Sequence, residues 1–233
     1  MLEIDAVCAA YGEAQVLDRV SMRVREGEIV ALLGRNGMGK TSLVRSVMGL
    51  GSPRVTNGSI RMNGTEMVGR RSNQISNHGV GYVPQGRRLF ASLTVREHLT
   101  MLGRDRAGAW SMRRVFDTFP RLEERKSHRA SQLSGGERQM LAIGRALMTG
   151  PRVILMDEPT EGLAPVMVEI VEGIVRALRA DGLGVLLVEQ NLYSALAVAD
   201  RVCIFETGRV VWEGAPAELT SQQQLLERYL GIR

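Results

Sequence analysis

The string Gly34-Arg35-Asn36-Gly37-Met38-Gly39-Lys40-Thr41-Ser42 carries the spacing G-x-x-x-x-G-K-[ST]. In such a loop the glycines let successive backbone N–H groups converge on phosphate oxygens, the lysine reaches the β/γ-phosphates and the hydroxyl ligates Mg2+. Those roles fall here to Lys40 and Thr41. Lys40 and Lys126 are the only lysines in the chain, every other basic position being arginine. A compact, flexible ammonium suits a phosphate cradle better than a planar fork does. A second group, Asp157-Glu158, closes the apolar run Val153-Ile154-Leu155-Met156. Carboxylates at the carboxyl end of a buried strand lie where open α/β sheets bind ligands. Asp157 would support Mg2+ and Glu158 would polarise an attacking water as general base, although an acidic helix cap before Pro159-Thr160 reads the same way. The third group is Leu133-Ser134-Gly135-Gly136-Glu137, ahead of a helix expected to begin around Arg138. Its hydroxyl and two glycine N–H groups suit either an anion site or a plain helix cap.

Chemistry of this kind requires strand, loop and helix in succession. Glu28 to Leu33 is an apolar run of strand length, and Thr41 to Gly49 reads as a helix closed by glycine. Ahead of them, Leu2 to Ala10 and Val16 to Val24 read as short strands separated by Tyr11-Gly12. Gly58 to Gly64 reads as a strand and tight turn, and Val80 to Val83 as a buried strand halted by Pro84. From Gly86 to about Gly150 the spacing turns helical, as at Val95, Leu99 and Leu102, and β-branched runs disappear. Strand character resumes at Val153 to Asp157, followed by a helix over Pro165–Ala180, a strand at Gly184–Glu189 and a helix from Leu192 to Ala199. This alternation implies a parallel sheet covered by helices. Val202–Glu206 and Arg209–Glu213 flank Thr207-Gly208 as a hairpin, and Ala215 to Leu230 reads as an amphipathic helix.

Composition sets outer bounds. The chain has 233 residues, 44% hydrophobic and 24% charged, enough for a substantial core. No apolar run approaches the ~18 residues of a membrane span, and Met1-Leu2-Glu3-Ile4-Asp5 does not read as a leader, so an intracellular location is expected. Cys8 and Cys203 show no metal spacing and are expected to be buried reduced thiols. The net charge of +5 raises nucleic acid as a partner. The arginines are dispersed rather than gathered into an arm, so no specific nucleic-acid site is expected. A guanine-reading N-K-x-D is missing, since neither lysine follows asparagine.

The order of motifs, the cradle at Gly34–Ser42, then Gln85, then Leu133–Glu137, then Asp157-Glu158, resembles the nucleotide-binding subunit of an ATP-binding cassette (ABC) transporter over residues 2–230. The resemblance implies an α/β fold with a P-loop NTPase core around a parallel sheet, an N-terminal antiparallel β-subdomain and an inserted helical subdomain. One domain would span 2–230, with 1–85 and 151–233 as core and β-subdomain and 86–150 as the helical insertion. ATP and Mg2+ are the implied cofactors. Tyr11 falls where an aromatic ring stacks on adenine. Gln85 matches a glutamine that senses Mg2+ and links the core to the helical insertion. Ser134, Gly135, Gly136 and Glu137 match the signature that closes on ATP held by an opposite subunit, so that two subunits sandwich two nucleotides. Two positions depart from the commonest pattern: Ala164 replaces an aspartate after the acid pair, and Gln190 replaces the switch histidine. A neutral amide can hydrogen-bond the γ-phosphate or the attacking water, but it supplies no imidazolium charge.

The strings Val83 to Phe90, Glu161-Gly162-Leu163-Ala164-Pro165 and Val188-Glu189-Gln190-Asn191 look like those of the second ATP-binding subunit of branched-chain (hydrophobic) amino-acid importers. A urea or short-chain amide importer shares several of them. That likeness implies a second, different ATPase chain, two membrane permeases, a separate substrate-binding protein outside the membrane, and residence at the cytoplasmic face. Gly86 to Phe90 is the stretch expected to touch a permease. An ABC ATPase acting on nucleic acid or the ribosome is the reading from another class. Such proteins usually carry tandem cassettes, coiled coils or zinc modules, and none is visible here.

Overall fold

A computed structural model describes residues 1–102 and 110–231; residues 103–109 of the expected helical stretch and the last two residues of the expected 151–233 core lie outside the described residues. In chain order the elements are β1 (Leu2–Tyr11), β2 (Ala14–Val24), β3 (Ile29–Leu33), α1 (Lys40–Val47), β4 (Arg54–Met62), β5 (Thr65–Glu66), α2 (Ser72–Asn77), β6 (Val80–Val83), α3 (Val95–Leu102), α4 (Met112–Thr118) and α5 (Pro120–Glu124). They continue with α6 (Gly135–Leu147), β7 (Val153–Asp157), α7 (Pro165–Ala180), β8 (Gly184–Glu189), α8 (Leu192–Val198), β9 (Arg201–Glu206), β10 (Arg209–Gly214), α9 (Pro216–Thr220) and α10 (Gln223–Leu225).

Among the described residues the strands form two sheets, β2-β1-β4-β5 and β10-β9-β3-β8-β7-β6. The first is antiparallel, and in the second only the β9–β10 pairing is antiparallel. The fold is therefore α/β, as expected. Strands β3, β7 and β8 are buried at every position because helices or the other sheet cover both faces. Their side chains alternate between two cores. Ile29, Ile154, Met156, Val185 and Leu187 pack with α3–α7, whereas Val30, Leu32, Val153, Leu155, Leu186 and Val188 pack with α1 and the antiparallel sheet. A third cluster joins Ala31 and Leu33 to Leu192, Ala195 and Leu219. Thr207 and Gly208 both take positive φ, 46° and 76°, which matches the twist of a tight hairpin.

Several expectations need correction. The helix after the cradle begins at Lys40 and the one at the signature begins at Gly135, not near Arg138, because Ser134 caps it directly. Strand β4 begins at Arg54, since antiparallel pairing with β1 carries it through polar residues. Helix α2 has Ile75 as its buried residue and gives no apolar period to read. The tail is broken into α9, α10 and a π-helical turn at Leu226–Leu230. Cys203 is buried, but Cys8 is half-buried, its sulfur accepting the Arg19 N–H at 3.3 Å across a bulged register.

Gly184 opens β8 in close contact with the backbone beside it: a Cβ there would lie 2.5 Å from the Arg25 carbonyl oxygen. Gly184→Ala is expected to lower stability by about 1–3 kcal/mol, read as an earlier midpoint in urea unfolding. An unchanged midpoint would show that the backbone yields there freely.

Candidate functional site

The cradle leaves β3 at the carboxyl edge of the parallel sheet, where Leu33 lies between Glu189 of β8 and Ile204 of β9. Gly37 and Gly39 take φ of 79° and 103°, conformations that favour glycine, and they turn the loop into the start of α1. The hairpin turn steadies the loop from outside: Gly208 N–H donates to Met38 O at 2.9 Å, and Asp18 N–H to Gly208 O at 2.9 Å. Lys40 is buried, and its ammonium donates to the carbonyls of Gly34 at 2.6 Å and Arg35 at 3.0 Å. It stands 3.9 Å from Glu158 Oε1. Burial pulls the Lys40 pKa down while Glu158, Asp157 and Glu189 oppose that.

Asp157 ends β7 directly beside β8, at Val188. Its Oδ1 accepts the Thr41 hydroxyl at 3.2 Å, while Oδ2 is buried with no hydrogen-bond partner. Burial pushes the Asp157 carboxyl up to about 6, Glu158 adding to the rise and Thr41 and Lys40 opposing it. Glu158 sits at φ 51°, a left-handed backbone for a non-glycine residue, with its N–H on Val188 O at 2.9 Å. Gln85, just past β6, donates its amide to Glu158 Oε2 at 2.9 Å and Glu161 Oε2 at 3.0 Å. Arg87 donates to the Glu161 carbonyl at 3.2 Å.

A cavity of about 620 Å3 opens over this edge, lined by Tyr11, Asn36 to Ser42, Gln85, Glu158, Glu161 and Gln190, with Gln15, Val16, Thr207 and Gly208 on one side. Tyr11 is 39% exposed among the lining residues, and its hydroxyl is 3.3 Å from Ser42 Oγ. The cradle, Tyr11, Gln85, Glu158 and Gln190 thus come together, with Asp157 beneath them. Ser134 to Glu137 do not line this cavity. Ser134 caps α6: its hydroxyl accepts Glu137 N–H at 3.2 Å, and its own N–H reaches Glu137 Oε2 at 2.8 Å. Gly136 faces inward, where any Cβ would collide with the Met167 side chain. A larger cavity of about 820 Å3 lies at the amino ends of the strands, between His78, Trp110, Arg114 and Asp181. It holds none of the motif residues, and the chemistry belongs to the smaller one.

The residues present fit a divalent cation beside a polyphosphate. Asp157 Oδ2 is a buried acceptor lacking a donor, next to a hydroxyl-bearing residue at the head of α1. Sequence reasoning gave Glu161, Arg87 and Glu189 no part in the site. Only Glu189 carried a readable signal, a charged residue closing an apolar strand just as Asp157 does.

The chain matches the family model described as ABC transporter over residues 17–161. It is 45% identical over 235 residues to the high-affinity branched-chain amino acid transport ATP-binding protein BraG of Pseudomonas aeruginosa, covering 99% of this chain and 100% of that protein. A Nod factor export ATP-binding protein I of Paraburkholderia xenovorans is 38% identical over 226 residues, covering 95% of this chain and 73% of that protein. The dimeric structure of a bacterial ABC transporter cassette matches with a TM-score of 0.78 at 26% identity, covering 93% of this chain and 99% of that one.

Because its pKa is raised on folding, the Asp157 carboxyl favours the native state most below about pH 4, and that contribution is lost as pH rises through about 6. Asp157→Asn should therefore raise the melting temperature of the ligand-free chain at pH 8, and by less at pH 5, in differential scanning fluorimetry. A lower melting temperature at pH 8 would contradict this.

Proposed function

The chain belongs to the ABC transporter family as an ATP-binding, ATP-hydrolysing subunit, and we propose that it energises an importer for branched-chain or other hydrophobic amino acids. The observation that carries the catalytic reading is the meeting of Lys40, Thr41, Asp157, Glu158 and Gln85 at one sheet edge. Residues 34–42 cradle the phosphates, with Lys40 giving up its bonds to the loop carbonyls for phosphate oxygens. Tyr11 stacks on the adenine. Mg2+, held through Thr41, Asp157 and Gln85, would neutralise charge on the phosphates. Glu158 takes the proton from the attacking water, and the Gln190 amide orients that water or the γ-phosphate.

The nucleotide is proposed to lie between this cradle and the signature of a facing ATPase subunit, a different chain in the importer reading. The placement of Ser134 outside the cavity supports this, as does the likeness to a dimeric cassette. Ser134 and the amino end of α6 would make the contact, with Gly135 beside them, while Gly136 packs against α7 and Glu137 closes the cap. Residues 86–150 would form the helical insertion within one domain over 2–230, and no strand is present between Pro84 and Val153 among the described residues. The exposed Phe90, in the Gly86–Phe90 stretch, would face one of two permeases. Among the described residues no helix is long and apolar enough to cross a membrane. In the importer reading the permeases hold the chain at the cytoplasmic face. A binding protein outside the membrane would deliver substrate.

The amino-acid reading rests on the likeness to BraG, and the likeness to a Nod factor export protein makes export the second reading. Uptake of radiolabelled leucine and urea in cells lacking the chain separates them. Loss of leucine uptake, restored by the chain, is expected. Loss of urea uptake alone would reassign the substrate, loss of neither would favour export, and ribosome or DNA association without permeases would overturn the transport reading.

Glu158→Gln keeps the shape of the side chain and removes the base. Turnover in the complex purified from membranes through a tag on this chain should fall at least ~100-fold with ATP still bound. Unchanged hydrolysis would remove Glu158 from that role.

A further inference from the structure

Glu189 is a charged residue of the site edge that the reading above leaves without a task. It is 2% exposed, at the carboxyl end of β8, between the strand that feeds the cradle and the strand that ends in Asp157. Its carboxylate is fully engaged in two directions. Oε1 accepts the Thr160 hydroxyl at 2.8 Å and the Thr160 N–H at 3.2 Å, and Oε2 accepts the Gln190 N–H at 3.3 Å. One buried carboxylate therefore ties together the backbone two residues after Glu158 and the backbone of Gln190.

That tie matters because of the turn it spans. Glu158 is held at φ 51°, a conformation that costs on the order of 1–3 kcal/mol and persists only when neighbouring contacts enforce it. The Glu158 N–H is fixed on Val188, the residue preceding Glu189. Thr160 is fixed on Glu189 itself, so β8 grips the turn on both sides of Pro159. Released on the Thr160 side, the turn can relax and swing the Glu158 carboxylate away from the Lys40 and Gln85 partners that now define its place. The same release frees the main chain at Gln190.

We propose that Glu189 is a positioning residue for ATP hydrolysis, holding Glu158 and Gln190 in register across the γ-phosphate position. The inference rests on the reading of Glu158 as the base. Glu189 does not line the cavity over the cradle, and it works through Thr160 and the Gln190 backbone. Its loss should therefore act on kcat, leaving the cradle's grip on ATP in place.

The test uses the tagged complex from membranes, with Glu189→Gln, Thr160→Val and the double variant. Glu189→Gln keeps one acceptor oxygen and sets an NH2 group against an N–H donor. It should lower kcat about 10- to 100-fold, the scale of a misplaced catalytic group, with the Kd for ATP changed by less than about threefold. Thr160→Val, an isosteric loss of the shared hydroxyl, should lower kcat in the same sense, and the double variant should be no slower than Glu189→Gln alone, as for two changes in one link. A Glu189→Gln enzyme with kcat intact, parallel losses in kcat and ATP affinity, or effects that multiply in the double variant would each overturn the proposal. Should Glu189→Gln fail to fold, Thr160→Val alone decides by the same split between kcat and Kd. Glu158→Gln measured alongside separates the two ideas. If it retains activity, the reading of the base falls; if it is inactive while Glu189→Gln is not, only the positioning role falls.

Discussion

Charge buried at the carboxyl edge of the parallel sheet is the constraint around which this chain is built. Among the described residues the buried charged side chains are Lys40, Glu137, Asp157, Glu158 and Glu189. All but Glu137 meet at one edge. Burying an ion without partners is expensive, and here each is answered locally: the Lys40 ammonium by two loop carbonyls and Glu158, Glu158 by Gln85, and Glu189 by Thr160 and Gln190. Asp157 is the exception, with one oxygen unsatisfied and its pKa driven upward. Three carboxylates stand against one ammonium at this edge.

The scaffold follows from holding that edge still. Strands β3, β7 and β8 are covered on both faces, and β8 lies between β3, which feeds the cradle, and β7, which ends in the acid pair, hydrogen-bonded to both. The antiparallel sheet packs on the side of α1, and the β9–β10 turn hooks the loop at Met38. On the other face α3–α7 carry the signature, whose glutamate is held by the capping box and by Arg121 and Arg125 at 3.8 and 3.6 Å. The single chain thus presents a finished cradle in one place and an exposed helix start in another.

Much of this was legible in the sequence because it is local. The cradle, the acid pair and the fully buried strands are written in consecutive residues, and the helix over Pro165–Ala180 and the strand over Gly184–Glu189 fall where the apolar pattern puts them. What escaped depends on distant partners. The polar half of β4 is a strand because β1 pairs with it, and α2 is a helix with little apolar pattern of its own. The tail breaks because its apolar residues pack on β3, α8 and β9 and not along one helix face. The link from Glu189 to Thr160 spans 29 residues, with the whole of α7 and the rest of β8 between them, so no spacing rule reveals it.

The central claim is that ATP turnover at this site requires a second subunit to close over the cradle. Hydrolysis per mole of chain, measured as the protein is diluted and then as partner ATPase is added back, tests it most directly. Specific activity that falls on dilution and rises to a plateau with added partner is the predicted result. Specific activity independent of both would mean that one chain completes its own site, and would contradict the account.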